Sequence, residues 1–377
     1  MKSLIHFTGI FAFVGCILIP FSWSVLWPIN ELQKIILLPI TRFIAEFLGI
    51  TYTLTDLSSD STLFVLIYLL SFLISIPVSW WLSKRPMNKQ KRIEFLQISL
   101  TLFLSIVLFK YGLDKVFKQQ FFFPEPNTLN TRLGYLDRDI LYWSTIGSSY
   151  LYNVITGSLE VITAILLLSN KLRRTGVILS LFILSNITLI NFSFDISVKF
   201  FSLQLLITAL FLFTFEINKA HKKSLKFRFQ VLSLSRNSSL VCIFVILTEG
   251  LYPYLINQNF NDDLAIKPST YGTYHVINPK GSIDQICVHS DGFIIFMDNG
   301  IPLNSYRMSQ NIFDKSIEIT GYEDHEHLFL KVKKENNTRF IFEISNLNKG
   351  KSIVLSTEKE NLSEYPLNKQ KVHYTVD

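Results

Sequence analysis

Three cysteines in 377 residues, with no C-x-x-C pair among them, deny this chain the near-vicinal thiols that a membrane thiol–disulfide oxidoreductase needs to shuttle two electrons. Cys16 and Cys242 fall in apolar runs, and Cys287 stands in Ile286-Cys287-Val288, where a cysteine reads as a small core residue. No Gly-rich phosphate loop, G-x-S-x-G elbow or H-E-x-x-H helix occurs. Flavin, haem and iron–sulfur signatures are missing too, so no cofactor is identified; a redox centre would be a diffusible quinone or belong to a partner subunit. Charged residues make up only 17% of the chain and avoid whole windows of the first 256 positions.

What fills those windows is apolar: 49% of the residues are hydrophobic, and 33 are Phe. A helix needs about 20 mainly apolar residues to cross the hydrocarbon layer. Seven segments meet or approach that length, near Leu4 to Trp27, Ser61 to Leu82, Ile93 to Leu113, Leu141 to Leu168, Thr175 to Phe194, Val198 to Ile217 and Asn237 to Ile256. The first follows Lys2 and ends in Trp23, Trp27 and Pro28 without a small-residue cleavage site, which reads as a retained signal anchor with its Trp residues at the interface.

Basic residues cluster at Lys84 to Arg92, Lys171 to Arg174 and Lys219 to Arg228, each between two apolar stretches. Because basic loops resist translocation, these three loops are expected in the cytoplasm. The N-terminus then lies in the cytoplasm and the C-terminal domain in the periplasm of a multi-pass inner-membrane protein. Residues 1–256 carry 23 Lys plus Arg against 13 Asp plus Glu, and residues 257–377 carry 13 against 16. The excess of positive charge is thus a matter of topology, and nucleic-acid binding need not be invoked.

Between the first two spans, Glu31 to Leu38 and Arg42 to Leu48 are amphipathic and divided by Pro39. The spacing predicts two short helices on the outer membrane surface or capping the bundle. A second outer loop, Phe117 to Ile140, contains Phe121-Phe122-Phe123-Pro124. After a polar linker over 257–270 the period changes to two. Short apolar or alternating runs follow at Tyr271 to Ile277, Ser282 to His289, Phe293 to Asp298, Asn304 to Gln310, Ser316 to Thr320, Leu328 to Lys333, Thr338 to Ile344, Lys351 to Ser356 and Lys371 to Val376. Turn signals such as Asp291-Gly292 and Asn299-Gly300 separate them. The fold class expected is therefore a polytopic helical membrane bundle over 1–256, followed by an antiparallel all-β barrel or sandwich over 271–377.

Ionisable groups inside spans cost about 2.5–3.5 kcal/mol at a helix centre on insertion scales, so each asks for a partner or a purpose. Glu160 lies well inside the fourth span, with Asn153 and Thr156 on its helical face. It reads either as an anchor for a bound head group or as a carboxyl holding helices together. Lys110, Tyr111, Asp114 and Lys115 stand at the outer end of the third span, and Asp195 and Lys199 at the junction of the fifth and sixth. They could line a mouth opening outward or form local ion pairs. Asn186, Asn191 and Gln204 suit interhelical hydrogen bonding, and Glu249 reads as structural. Asp324-His325-Glu326-His327 offers His-x-His but no third and fourth ligand at a defined spacing, so no metal site is assigned.

Three elements, Tyr111-Gly112-Leu113-Asp114-Lys115-Val116-Phe117, Gly157-Ser158-Leu159-Glu160 and Asp195-Ile196-Ser197-Val198-Lys199, resemble the DoxX-like membrane family, in particular a longer subgroup with a β-rich C-terminal extension. The pattern departs from the family at Thr163 and Ala164, where glycines are usual, and at Ser197, where Pro is usual. The resemblance implies a four-helix core at about 93–217. The family's founding members are associated with quinone-linked sulfur oxidation, while most members have no assigned activity. Three functions stay open. The first is binding of a quinone-like or lipid small molecule in an outward-opening intramembrane pocket, with Glu160 and Asn153 as buried polar groups and Tyr111, Lys115, Asp195 and Lys199 at its mouth. The second is a non-catalytic scaffold whose β domain binds an envelope protein. The third is a subunit of a membrane oxidoreductase.

Overall fold

A computed structural model describes residues 2–57, 60–85, 89–220, 236–277, 279, 281–310, 317–321, 327–336, 338–346 and 351–368. It divides into two compact units, one built from Met1–Phe121 with Tyr150–Asp262 and the other from Phe122–Ser149 with Asp263–Asp377.

The first unit is helical: α1 (Lys2–Leu18), α2 (Trp27–Phe47), α3 (Thr62–Lys84), α4 (Lys89–Val116), α7 (Tyr150–Leu168), α8 (Arg173–Ser193), α9 (Lys199–Ala220) and α10 (Arg236–Asn257), with α5 (Pro126–Asn130) and α6 (Arg138–Gly147) belonging to the second unit. Among the described residues six helices, α3, α4 and α7 to α10, are long and apolar enough to cross a membrane. Helix α1 falls short: 17 residues span about 25 Å. Pro20 bars its continuation, since the residue before a proline is driven out of the helical region. Beyond that break Phe21 stacks on Phe201 at 5.8 Å, and Trp23 packs edge-on to Phe21 at 4.8 Å. Trp23 thus packs against the core of the bundle, partly buried, whereas Trp27 is exposed.

Helices α4, α7, α8 and α9 pack in sequence and close on themselves through the α4–α9 contact, while α1 packs on α3, α4 and α9, and α10 packs on α4. Helix α7 shows the logic of a bundle in lipid. Asn153, Gly157, Glu160, Ala164 and Leu167 are buried, and Leu151, Ile155, Leu159, Ile162 and Ile165 are exposed, so its outward face is the more apolar one. The expected fourth span, Leu141 to Leu168, is two helices, because Gly147-Ser148-Ser149 breaks it between α6 and α7.

Helix α2 is one helix, not two. Pro39 lies inside it, and the helix tolerates the lost i to i−4 bond because Gln33, Leu37, Thr41 and Ala45, each one turn apart, seat it on the protein. Gln33 adds a hydrogen bond to the Ile17 carbonyl oxygen at 2.7 Å.

The second unit centres on a closed antiparallel barrel in the order β1 (Gly272–Val276), β2 (Gln285–Val288), β3 (Phe293–Asp298), β4 (Ile301–Gln310), β5 (Ile317–Gly321), β6 (His327–Lys334), β7 (Arg339–Asn346) and β8 (Lys351–Lys359), with β8 returning to β1 at Tyr274–Lys359. Asn299 and Gly300 both take positive φ, the two-residue turn that Asn-Gly favours between twisted strands. Inward side chains fill the barrel: Tyr274, Ile286, Ile294, Phe296, Tyr306 and Phe342 belong to one buried cluster. The ninth expected strand, Lys371 to Val376, lies outside the described residues.

Strands β2 and β3 are apolar on both faces. Cys287, Ile295 and Met297 point away from the filled interior and form a separate buried cluster. The segment 122–149 explains why, because it is hydrogen-bonded to the same stretch of barrel. Glu125 accepts from the Ser290 hydroxyl and from its backbone N–H at 3.3 Å. Asn127 meets His289 at 2.6 Å, Asn130 donates to the Thr273 hydroxyl at 3.0 Å, and the Arg132 N–H donates to the Gly300 carbonyl at 3.0 Å. From Phe122 onward, the outer loop expected between the third and fourth spans is therefore part of the β unit.

Candidate functional site

Two glycines set the site. A Cβ added to Gly157 would lie 2.5 Å from the Gly112 carbonyl oxygen, and one added to Gly112 would lie 2.7 Å from that of Gly157, so α4 and α7 touch backbone to backbone. Gly112 faces the backbone of Val161 while Gly157 faces Lys115, so the helices run antiparallel. Three residues after each glycine comes a charge. Lys115 Nζ donates to Glu160 Oε1, with Lys115 only 7% and Glu160 only 3% exposed.

A buried ion pair is stable only when its remaining polar atoms are also satisfied. Among the described residues Glu160 Oε2 has no hydrogen-bond partner. An unmet buried acceptor of this kind costs about 1–3 kcal/mol. Asn153 lies two turns away on the same face of α7 and is fully buried. Tyr111 lies one turn before Lys115 on α4, with its ring 6.2 Å from Phe21 and 6.5 Å from Phe201. Thr156 does not join them; its hydroxyl donates to the Tyr152 carbonyl of its own helix at 2.8 Å.

Around this pair, polar groups knit the elements together. Tyr254 of α10 donates to Asp114, and Lys110 reaches the Ser22 carbonyl and, at 2.7 Å, the Ser24 hydroxyl. Glu249, fully buried on α10, accepts the successive backbone N–H groups of Ser24, Val25 and Leu26 at 2.6–3.0 Å. Its carboxylate thereby fixes the turn that leads into α2.

Asp195 and Lys199 form a second group. Lys199 Nζ lies 2.7 Å from Asp195 and 3.7 Å from Asp60. Asp60 also accepts the Lys199 and Phe200 N–H groups at 2.7 and 3.3 Å, so it caps the N-terminus of α9. The structure thus pairs Glu160 with Lys115, sets Asn153 and Tyr111 on the faces beside them, and joins Asp195 and Lys199 to each other and to Asp60. Sequence reasoning missed Asp60, Tyr254 and the backbone of 24–26 as partners. Their separations of 139 to 225 residues leave no local signal.

Among the described residues, no group of three or more His, Cys, Asp or Glu could hold a metal ion. Asp324, His325 and Glu326 lie outside the described residues.

Over 131 residues the chain is 32% identical to the uncharacterized protein YwoB of Bacillus subtilis (strain 168), a match that covers 33% of this chain and 83% of that protein. No family model and no solved structure matches the chain.

Proposed function

Because this chain belongs to the family of YwoB, an uncharacterized protein that lends it no activity, we propose its function from its own geometry: the helical bundle binds a lipid-soluble small molecule, of quinone or lipid type, at Lys115 and Glu160. One observation carries the reading. A carboxylate oxygen in the middle of a membrane bundle has no partner among the described residues, and buried polar groups are ordinarily matched by one. Asn153, buried on the same face, and Tyr111, one turn from Lys115, border the position a head group would occupy. Kinship with DoxX-like proteins belongs to this proposal, as does an inner-membrane location with the β unit in the periplasm.

The test is an organic extract of the protein purified in mild detergent, analysed by mass spectrometry and ultraviolet absorption beside Glu160→Gln. A stoichiometric quinone or lipid that is lost in the variant is the expected result. An empty wild-type protein would turn the balance to the second reading, a scaffold whose β unit binds an envelope protein. That reading has its own support: the barrel is filled by Tyr274, Phe296, Tyr306 and Phe342, so the β unit offers its surface rather than a lumen.

A further inference from the structure

Resting on that reading of the Lys115–Glu160 site, and narrowing it, we propose that its ligand is a neutral, hydroxyl-bearing lipid, so that a quinone would qualify only in its reduced form, and that the site discriminates against anionic head groups and against carbonyl-only ones. The argument starts from charge. One cationic and one anionic side chain face each other there, and their sum is zero wherever the shared proton lies. In a low-dielectric interior any net charge is costly, so a ligand carrying a carboxylate or phosphate would bring a charge that neither partner is left to balance.

The hydrogen-bonding inventory then narrows the class. Glu160 Oε2 accepts only, and it is unpartnered among the described residues on a side chain whose residue is 3% exposed. Lys115 has three N–H groups and gives one to Glu160 Oε1. The pair therefore presents a vacant acceptor beside spare donors. A hydroxyl, which donates one hydrogen bond and accepts others, meets both. A ketone accepts from Lys115 and leaves Oε2 unmet. Because the two helices touch at Gly112 and Gly157, the pair is held on rigid backbone and has little freedom to reorganise around a mismatched group.

The full-length protein in detergent at pH 8 would be titrated with three probes of matched chain length: hexadecan-1-ol, hexadecan-2-one and palmitate. Native mass spectrometry or calorimetry reads the affinities. The alcohol should bind about tenfold or more tighter than either analogue, as expected of a site that hydrogen-bonds a hydroxyl. In Glu160→Gln, Lys115 loses its balancing charge, so the ranking should shift toward palmitate. Palmitate or the ketone binding the wild type as tightly as the alcohol overturns the inference and leaves the binding site standing. Failure of all three to bind removes both. An alcohol preference unmoved in a folded Glu160→Gln protein would place the selectivity elsewhere and overturn the assignment. Should that variant not fold, the wild-type ranking alone decides.

Discussion

At Gly157 a methyl group has nowhere to go, because the nearest atom is a backbone oxygen of the facing helix and not the end of a flexible side chain. Gly157→Ala is therefore expected to push α7 off α4 and to cost at least about 1–3 kcal/mol, the usual range for overpacking. A lowered thermal midpoint in detergent, beside an unchanged Ser158→Ala control on a half-buried position, would show it. The centre of the site was legible at this scale. Gly-x-x-Lys and Gly-x-x-Glu place a small residue and a charge on one face of each helix, and Glu160 and Lys115 were both singled out. That they answer each other was not legible, since helical spacing gives the face of a residue and not the partner across it.

Among the elements, α9 depends on a residue far from it in sequence. Asp60, itself at positive φ, supplies the carboxylate that α9 lacks in its own first turn. Asp60→Ala is expected to cost about 0.5–2 kcal/mol, the usual loss for an N-cap. Hydrogen exchange at the Lys199 and Phe200 amides should quicken, while that of α7 stays unchanged. The barrel strands were read nearly to their ends because alternation and Asn-Gly or Asp-Gly turns are local signals. The cover over the barrel has one local signal: Phe293-Ile294-Ile295-Phe296-Met297 does not alternate, and a strand apolar on both faces must be covered on both. The break of α1 at Pro20 and the unity of α2 across Pro39 show why proline alone does not place a helix end. In α2 the turn-spaced contacts of Gln33, Leu37, Thr41 and Ala45 outweigh one missing hydrogen bond.

At the scale of the molecule, the β unit carries two half-buried titratable groups of opposite tendency. Burial raises the Glu125 carboxyl above its ordinary range, against the opposing hydrogen bonds from Ser290. Burial lowers the His289 imidazole, against the opposing charge of Asp291. A raised acid contributes stability that is complete below its unfolded pKa and disappears as pH climbs through the folded one. A lowered histidine contributes stability that is complete above its unfolded pKa and disappears as pH falls through the folded one. Both contributions are therefore incomplete between the ordinary carboxylate and imidazole ranges, and the β unit of the whole protein should be least stable there. Protection of the β2 amides, followed from pH 4 to pH 8, should fall and then recover. Glu125→Gln should flatten the falling limb, and His289→Gln the recovering one.

The division into a helical part and a barrel was visible in composition and period, but the crossing of 122–149 into the β unit was not, because it depends on contacts such as Asn130 to Thr273 and Tyr365 to Asn130, 143 and 235 residues apart. That segment is synthesised before the helices α7 to α10 and long before any strand it covers. It meets Thr273 and His289 only after those four helices have been made. The β unit is thus a late joint, closed between two stretches that the helical residues 150–262 separate in the chain.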